Sequence, residues 1–453
     1  MKKIIIGYIL TLTLPFVGCE QYLDEKPVRS LAVPTKLADL QAILDNENRM
    51  SWNVYPESGD IAADYYYLTA ANWESRNETV RGRYVWSPTA DTQLDWEFCY
   101  SRIFDTNIVL DNLDAVSLGG MTVSQKNQIK GTALFVRAWN YFHLVQLFSP
   151  AFHESVANEP LGVPLKLTAD INEHVVRNTI RETYQRIVDD LKASAELLPE
   201  KVDTPLRPDA AAAYAALARV YLWMADYDSA LKYSDLVLTI DNELMDYNDI
   251  DNTARDPFEL FNREVLYHVT MRATSGVFVR TRCLVDTNLL ATYKLGDLRR
   301  LVFYSQGNNG DWQFKGDYSG DNGGTLFFGL ALDEVVLTKA EALARLGREI
   351  EAIDVLNLLL KNRWSKDKFK PTQVEDTDDV LKLILEERRK ELAFRGGIGW
   401  GDLKRLNLYP ELATELTRKI DNETYQLLPN DLRYSFLVPE EVISLSGINQ
   451  NLR

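Results

Sequence analysis

Hydrophobic residues recur every three or four positions along most of this 453-residue chain, which is the spacing of amphipathic α-helices. The pattern covers residues 91–114 and residues 124–148, where Ser149-Pro150 ends it. A further helix is predicted over 180–198, because Thr179-Ile180-Arg181-Glu182 is a capping box that leads into an apolar run. The chain is therefore predicted to be mainly α-helical.

Two later segments share a spacing of small residues. Ala218 and Ala230 flank one predicted turn, Ala340 and Ala352 flank another, and the members of each pair are twelve residues apart. Small residues at such positions let two antiparallel helices cross closely, as in tetratricopeptide repeats. A third, more divergent helix pair is expected within 124–198. Because more than a hundred residues separate the two clearer pairs, we expect a helical scaffold that a large insertion interrupts, and not a continuous solenoid.

Two stretches lack the helical pattern. Residues 50–90 are irregular and rich in aromatic side chains, while residues 251–330 combine short strand-like runs with a glycine-rich segment at 305–324. Loops of that length inside a folded protein are usually functional or disordered. We expect a tetratricopeptide-like scaffold of helical pairs at about 91–250 and 331–406. The other stretches are predicted to form an irregular, loop-rich second lobe, containing a little β, that binds a ligand.

The first eighteen residues have the pattern of a bacterial lipoprotein signal peptide. Two lysines precede an apolar run from Ile4 to Val17, which is too short to span a bilayer, and Gly18-Cys19 follows. A small residue before cysteine at the end of such a run is typical of lipoprotein cleavage sites. We therefore predict that residues 1–18 are removed, that Cys19 carries the lipid anchor, and that 19–35 is an N-terminal tether. The alternative is an ordinary secretory signal with an incidental cysteine.

The composition narrows the range of partners. The chain carries 50 Lys and Arg against 66 Asp and Glu, a formal net charge of −16. Such a surface repels phosphate backbones, so nucleic-acid binding is not expected. Hydrophobic residues make up 46% of the chain and charged residues 26%, as in folded globular proteins. Only Cys99 and Cys283 follow Cys19, and two buried free thiols are favoured over a disulfide between them.

No catalytic or metal-binding motif stands out. The sequence lacks H-E-x-x-H, G-x-S-x-G and P-loop patterns, and its four histidines have no ligand spacing. Carboxylates are plentiful, so a pair suited to glycoside hydrolysis is not ruled out, but no pair is singled out. Asp311, Asp317, Asp321 and Asn322 can offer oxygens to calcium, although a solvated acidic loop is favoured. We therefore expect a binding protein, not an enzyme, without a cofactor or a bound metal.

The aromatic residues of the two irregular stretches point to a carbohydrate. Sugar rings present apolar C–H faces that pack on Trp and Tyr, while their hydroxyls need polar side chains. Core packing is the alternative for each ring, and Trp96, Trp139, Trp223 and Trp364 are assigned to the core because they lie at helical core spacing. The candidates for stacking are Tyr65, Tyr66, Trp73, Trp312 and Tyr318, and those for hydrogen bonding are Asp64, Asn72, Arg76, Asn308 and Asn309.

Four segments together resemble the SusD/RagB family of outer-membrane lipoproteins from Bacteroidetes. They occur in the order expected for that family and are spread across nearly the whole chain after Cys19. One departure is Gly399, where a basic residue is expected before the tryptophan. The matching segments are Tyr22–Pro27, Lys130–Phe142, Glu387–Phe394 with Trp400 and Asp402–Arg405, and Val438–Val442 with Asn449–Asn451.

The resemblance implies a protein that binds without catalysing a reaction. Such a protein would be anchored in the outer membrane by its lipid, would face the cell exterior and would capture a glycan or, less often, a peptide. It would cover a SusC-like TonB-dependent transporter as a lid. Glu387, Arg388 and Asp402 are expected to tie helices together. A glycoside hydrolase and a purely structural lipoprotein remain as alternative classes.

Overall fold

Most of the regular structure is α-helical in the computed structural model, which describes residues 34–320 and 324–453. The predicted signal peptide, Cys19 and nearly all of the predicted tether lie outside the described residues, as do Asp321 and Asn322. The helices are α1 (Leu37–Leu44), α2 (Glu47–Met50), α3 (Ser58–Ala62), α4 (Ala70–Glu74), α5 (Glu78–Tyr84), α6 (Gln93–Asn112), α7 (Val123–Phe148), α8 (Ile180–Leu197), α9 (Ala210–Trp223), α10 (Tyr227–Ile240), α11 (Thr287–Thr292), α12 (Arg299–Phe303), α13 (Leu332–Arg345), α14 (Glu349–Leu360), α15 (Val380–Glu391), α16 (Gly399–Leu406) and α17 (Glu440–Ser446).

The central helix of the fold is α7, in which every residue from 131 to 148 is buried. Its start is fixed by a capping box, since the Thr122 side chain accepts from the backbone of Gln125 and the Gln125 side chain accepts in return. The predicted capping box at Thr179 forms in the same way with Glu182 at the start of α8. Helix α7 packs against both α6 and α8, so the predicted third helix pair is present.

Helices α9 and α10 form one pair and α13 and α14 form another. The four alanines of the repeated spacing, Ala218, Ala230, Ala340 and Ala352, are all at most 1% exposed. They lie where the paired helices meet, which confirms the tetratricopeptide-like arrangement. Helix α10 also packs directly on α13. The pairs therefore stay next to each other in space, although the insertion separates them in sequence.

The insertion between α10 and α13 holds most of the short strands. These strands are β1 (Tyr66–Tyr67), β2 (Val265–Tyr267), β3 (Leu284–Val285), β4 (Tyr304–Gln306), β5 (Trp312–Phe314), β6 (Leu330–Ala331), β7 (Leu416–Ile420) and β8 (Glu423–Leu427). An antiparallel sheet has the order β1-β3-β5-β4, while β2 pairs with β6 and β7 with β8. The first sheet joins the aromatic-rich stretch near residue 66 to the glycine-rich stretch near residue 310. The mainly α fold with a little β is thus confirmed.

Buried ion pairs connect the insertion to the C-terminal helices. Arg299 of α12 is completely buried and lies 2.6 Å from Glu387 of α15, between their Nη2 and Oε2 atoms. Arg388 of α15 donates through Nε to Asp402 of α16 at 2.8 Å. The prediction that Glu387, Arg388 and Asp402 tie helices together is confirmed. Removing one partner of such a network leaves a buried charge uncompensated.

The remaining core predictions fall as follows. Cys99 and Cys283 are both buried and free of a disulfide, in agreement with the favoured prediction. Trp96, Trp139 and Trp223 are buried and Trp364 packs on the core from a partly buried position. Within residues 34–320 and 324–453, none of the helices combines the length and the apolarity that a membrane crossing requires.

Candidate functional site

A cleft of about 910 Å3 opens beside β1 and is closed on its other sides by α15, α16 and β7. Its volume falls within the ~300–1,000 Å3 that is typical of small-molecule sites. We call it the large cleft. Its lining residues include Asp64, Tyr65, Tyr66, Tyr67, Tyr84, Trp86, Asp286, Asn288, Lys382, Glu386, Arg388, Arg389, Gly399, Asp402, Asn407, Glu411, Glu415, Thr417, Arg418 and Lys419.

Tyrosine rings form the inner wall of the large cleft. The Tyr65 ring packs against Phe394 at a centroid distance of 5.8 Å and lies beside the backbone of Gly399. A Cβ at position 399 would stand 2.4 Å from this ring, so any larger residue would push Tyr65 aside. The departure from the resembled family at Gly399 therefore has a local reason. Glycine leaves the space that the tyrosine occupies.

An arginine from α15 connects the tyrosine wall to a carboxylate. Arg389 donates from Nη1 to Oδ1 of Asp64 at 2.9 Å, and its guanidinium lies 5.3 Å from the centroid of the Tyr65 ring. Burial raises the pKa of the Tyr65 hydroxyl well above its usual value. The hydroxyl therefore stays protonated at neutral pH, and it can act as a donor as well as an acceptor.

Arg418 of β7 fixes the segment that leads into β1. Its guanidinium donates to the carbonyl oxygens of Ile61, Ala62, Ala63 and Tyr84, and it lies 3.6 Å from the centroid of the Tyr84 ring. Three of these carbonyls are at the C-terminal end of α3, where a cation is favoured by unpaired backbone oxygens and by the helix dipole. Arg418 thereby sets the position of the residues that follow α3, which form one wall of the cleft.

Asp402, a partly buried carboxylate of the cleft, is engaged in ion pairs. Burial opposes ionisation of Asp402, but the charges of Arg388 and Arg405 outweigh it and lower the pKa of Asp402. A glycosidase needs a carboxylic acid that holds a proton near neutral pH. The lowered pKa of Asp402 instead favours its ionised form. The rim instead carries exposed side chains of both charges together with amide and hydroxyl groups, such as Asn288, Lys382 and Thr417. This arrangement can bind many hydroxyl groups by hydrogen bonds.

The outer face of the four-stranded sheet continues from the cleft. Tyr67 of β1 lines the cleft, and its hydroxyl donates to Oδ1 of Asp311, beside β5, over 3.5 Å. Gln313 of β5 is the register partner of Ser305 in β4, so their side chains point to the same side of the sheet. Trp312 is the register partner of Gln306, so its ring points to the opposite side of the sheet, where it is partly exposed with the Arg300 guanidinium 4.9 Å away. The hairpin thus carries polar groups on one side and a partly exposed indole on the other.

Comparison with known proteins assigns the chain to a family. A family model described as "Starch-binding associating with outer membrane" matches residues 21–222, and the model of the SusD family matches residues 304–435. The chain belongs to the SusD family. A SusD-like protein P2 from Formosa agariphila is 24% identical over 485 aligned positions, which cover 91% of this chain and 92% of that protein.

Solved structures of SusD-family proteins share the fold. A SusD superfamily protein from Bacteroides thetaiotaomicron aligns with a TM-score of 0.75 at 23% identity, covering 92% of this chain and 100% of that one. A SusD-like carbohydrate binding protein from Bacteroides vulgatus gives a TM-score of 0.70 at 21% identity, covering 91% and 97%. A laminarin binding SusD-like protein gives 0.67 at 18% identity, covering 92% and 99%.

Nine of the ten binding residues predicted for this SusD-family chain fall into three places. Asp64, Tyr65 and Tyr66 line the large cleft, although Tyr65 and Tyr66 are only 6% and 4% exposed, and Tyr66 donates its hydroxyl to the carbonyl oxygen of Ile61. Two other groups lie elsewhere. Asn72 and Trp73 are on α4 with Arg76 just after it, whereas Asn308, Asn309 and Trp312 are on the β4–β5 hairpin.

Tyr318 corrects one of these predictions. The residue is completely buried, and its hydroxyl donates to Oε2 of Glu264 at 2.7 Å. The Arg395 guanidinium covers its ring at 3.5 Å from the centroid. No face of the ring is open to a ligand, so Tyr318 is a core residue. Its place in a glycine-rich stretch of sequence gave no sign of this burial.

The acidic loop has no metal cluster within the part of the chain that is described. Across residues 34–320 and 324–453, no group of three or more His, Cys, Asp or Glu side chains is arranged to hold a metal ion. The Asp317 carboxylate accepts from the Phe327 backbone at 2.9 Å and also from Ser319. Its oxygens therefore stabilise the loop from within.

Sequence reasoning missed Tyr67, Arg389 and Arg418 of the large cleft. Arg389 is part of the segment Glu387–Phe394 that carried the family resemblance, so that match contained a signal for it. Arg418 gave none, because it acts on carbonyls more than 330 positions earlier in the chain. Contacts of this kind depend on the tertiary fold and leave no local pattern.

Proposed function

We propose that this chain is a cell-surface glycan-binding lipoprotein. It captures an oligosaccharide or polysaccharide and delivers it to a SusC-like TonB-dependent transporter of the outer membrane. The observation that carries the proposal is the large cleft itself, where tyrosine rings form the wall and charged, amide and hydroxyl side chains form the rim. Aromatic rings for sugar faces and polar groups for hydroxyls are thus combined in one concave site.

The family findings support a carbohydrate ligand. The matching family description names starch binding and association with the outer membrane, and one structural relative is called laminarin binding. Capture requires no chemistry, and the Asp402 ion pairs favour binding over acid catalysis. In this proposal the protein is a lid over the transporter, and a ligand that contacts both would favour the closed state of the complex. The shift would depend on how much more tightly the ligand binds the closed state than the open one.

The binding test is affinity electrophoresis of the purified protein through gels containing different polysaccharides. We expect retardation by at least one glycan, and we expect Tyr67→Ala and Trp312→Ala to reduce it, since Tyr67 lines the cleft and Trp312 is a partly exposed ring on the adjoining hairpin. Trp52→Ala is the matched control, because Trp52 is also partly exposed but contacts Phe261 and His268 instead. Equal retardation of all four proteins would move the site elsewhere. Retention by a peptide matrix alone would favour the peptide-binding alternative.

The anchor and the partner need separate tests. Radiolabelled palmitate should enter the wild-type protein in its native host but not Cys19→Ala, because the thiol is the proposed attachment point. Affinity purification from solubilised outer membranes should recover a TonB-dependent transporter with the wild type. Labelling of Cys19→Ala at the wild-type level, or a membrane preparation without such a transporter, would contradict the respective part of the proposal.

A further inference from the structure

Two arginines from distant parts of the chain meet at one tight turn. Arg76 follows α4, and its Nη1 donates to the carbonyl oxygen of Ser275 at 3.2 Å. Arg282 precedes β3, and its Nη1 donates to the carbonyl oxygen of Gly276 at 3.0 Å. The two guanidinium groups are therefore held by neighbouring backbone oxygens of the same turn.

Gly276 allows the two arginines to approach each other. Its φ of +61° is in the left-handed region, and a Cβ there would lie 2.8 Å from Nη1 of Arg76 and 3.2 Å from Nη1 of Arg282. Because both nitrogens lie so close to one point, they are within ~6 Å of each other, a distance at which like charges repel appreciably. Any side chain at 276 would displace at least one guanidinium.

The charge of this pair is not neutralised within the described part of the chain. Neither Arg76 nor Arg282 forms an ion pair with a carboxylate of residues 34–320 or 324–453, whereas nearby Arg280 lies 3.1 Å from Asp256. Nε of Arg76 is buried and has no hydrogen-bond partner among the same residues. Partial burial and then the charge of Arg282 lower the pKa of Arg76. Two unpaired cations are conspicuous in a chain whose net charge is −16.

The pair lies next to residues that the sequence predicts to bind a ligand. Nδ2 of Asn72 donates to the carbonyl oxygen of Arg282 over 3.5 Å, which ties α4 to the start of β3. Trp73 is the next residue on the same helix, and β3 lies between β1 and β5 in the four-stranded sheet. A polymer bound across this sheet would thus pass close to the arginines.

We propose that Arg76 and Arg282 form a subsite for an anionic group of an acidic glycan. The group is a carboxylate or a sulfate ester, since guanidinium forks match the spaced oxygens of both. Binding would place a negative charge between two repelling cations and offer oxygens to Nη donors that lack acidic partners. This inference rests on the proposed function and narrows its ligand to polysaccharides that carry uronic acids or sulfate.

The test measures affinity for acidic polymers and for their neutralised counterparts. The probes are polygalacturonate and alginate with their carboxyl-reduced forms, and carrageenan and chondroitin sulfate with their desulfated forms. Starch and laminarin serve as neutral glycans. We expect at least one acidic polymer to bind, and we expect its neutralised form to bind about 10- to 100-fold more weakly, the usual range for a lost charged hydrogen bond. Reduction and desulfation separately reveal which anion is used.

The variants Arg76→Gln and Arg282→Gln should each weaken acidic binding by a similar factor and leave neutral binding unchanged. Arg181→Gln is the matched control, because Arg181 is exposed and paired with Glu154 far from this turn. Thermal unfolding of each variant checks that it is folded. Added salt should weaken the wild type more than the two variants, since screening acts on the charged contact.

The outcomes separate this inference from the proposed function. Binding of neutral glycans with no preference for acidic ones would overturn the anionic subsite and leave glycan capture intact. Acidic binding that both glutamine variants retain would overturn the assignment to this arginine pair. Arginine-dependent binding of poly-glutamate without any glycan would assign the site to acidic peptides instead. Failure of every polysaccharide to bind would overturn the proposed function, and the subsite with it.

Discussion

Arg418 offers a sharp test of how the cleft wall is held in place. The perturbation is Arg418→Met, which keeps much of the length of the side chain but removes the guanidinium. Four backbone carbonyls would lose a charged donor, and the Tyr84 ring would lose a cation that lies 3.6 Å from its centroid. Arg418 is only 7% exposed, so water cannot readily replace these bonds.

The expected loss of stability can be estimated from these contacts. A hydrogen bond to a charged group contributes about 1.5–3 kcal/mol net, and a desolvated cation–π contact up to about 2 kcal/mol. The contributions are not additive, and some of the carbonyls keep a second donor, such as Tyr66 for Ile61. Releasing the buried cation also recovers part of its desolvation cost. We expect a net destabilisation of about 3 kcal/mol.

Urea denaturation of the two proteins measures the effect. The urea midpoint should fall for Arg418→Met. The slope of the free energy of unfolding against urea concentration should stay the same, because unfolding exposes the same amount of surface in both proteins. Lys419→Met is the matched control, since it removes the same charge from the exposed next residue of β7 and should change the free energy of unfolding by less than ~0.5 kcal/mol. Equal effects of the two substitutions would refute the view that Arg418 holds the end of α3.

Three further predictions concern the interior. Burial raises the pKa of Asp60 from 3.8 to about 7. The native state therefore holds this proton more tightly than the unfolded state does. The free energy of unfolding is then expected to fall as pH rises from about 4 through about 7, by ~1.4 kcal/mol per pH unit at most. Denaturation across that range should show a shallower decline for Asp60→Asn, and parallel curves would argue against the shift. Gly399→Ala should cost about 1–3 kcal/mol in thermal unfolding by displacing Tyr65, whereas Gly82→Ala, in helix α5 with ordinary contacts, should not destabilise. Arg299→Met should cost about 3–5 kcal/mol because it removes the buried guanidinium that three buried carboxylates share, and leaves Glu387 with Lys390 and Glu391 with Arg363 as the remaining close cations. A wild-type denaturation midpoint would contradict that.

Local patterns predicted the helical elements well. The capping box at Thr179 and the buried faces of the long helices depend on residues within a few positions of each other, so they can be read directly from the chain. The twelve-residue alanine spacing also identified the helix pairs. The contact of α10 with α13 was not predictable, because nothing local indicates that the chain returns to the same place after the insertion.

The binding surface was only partly predictable for the same reason. Asp64 and Tyr65 could be proposed from the aromatic-rich stretch, but the opposite wall comes from α15, α16 and β7. Tyr318 shows the opposite error, since an aromatic residue in a glycine-rich loop has the same local signature whether its ring is open or covered. Arg395 and Glu264 enclose it, and both are more than fifty positions away in sequence.

The central claim is that this protein captures a glycan and leaves it intact. The most direct measurement is calorimetric titration of the purified protein with an oligosaccharide prepared from a polysaccharide that retards it in gels, followed by chromatography of the recovered sugar. We predict saturable heat of binding and sugar of unchanged length after prolonged incubation. Shortened products, or the absence of any binding heat, would contradict the claim.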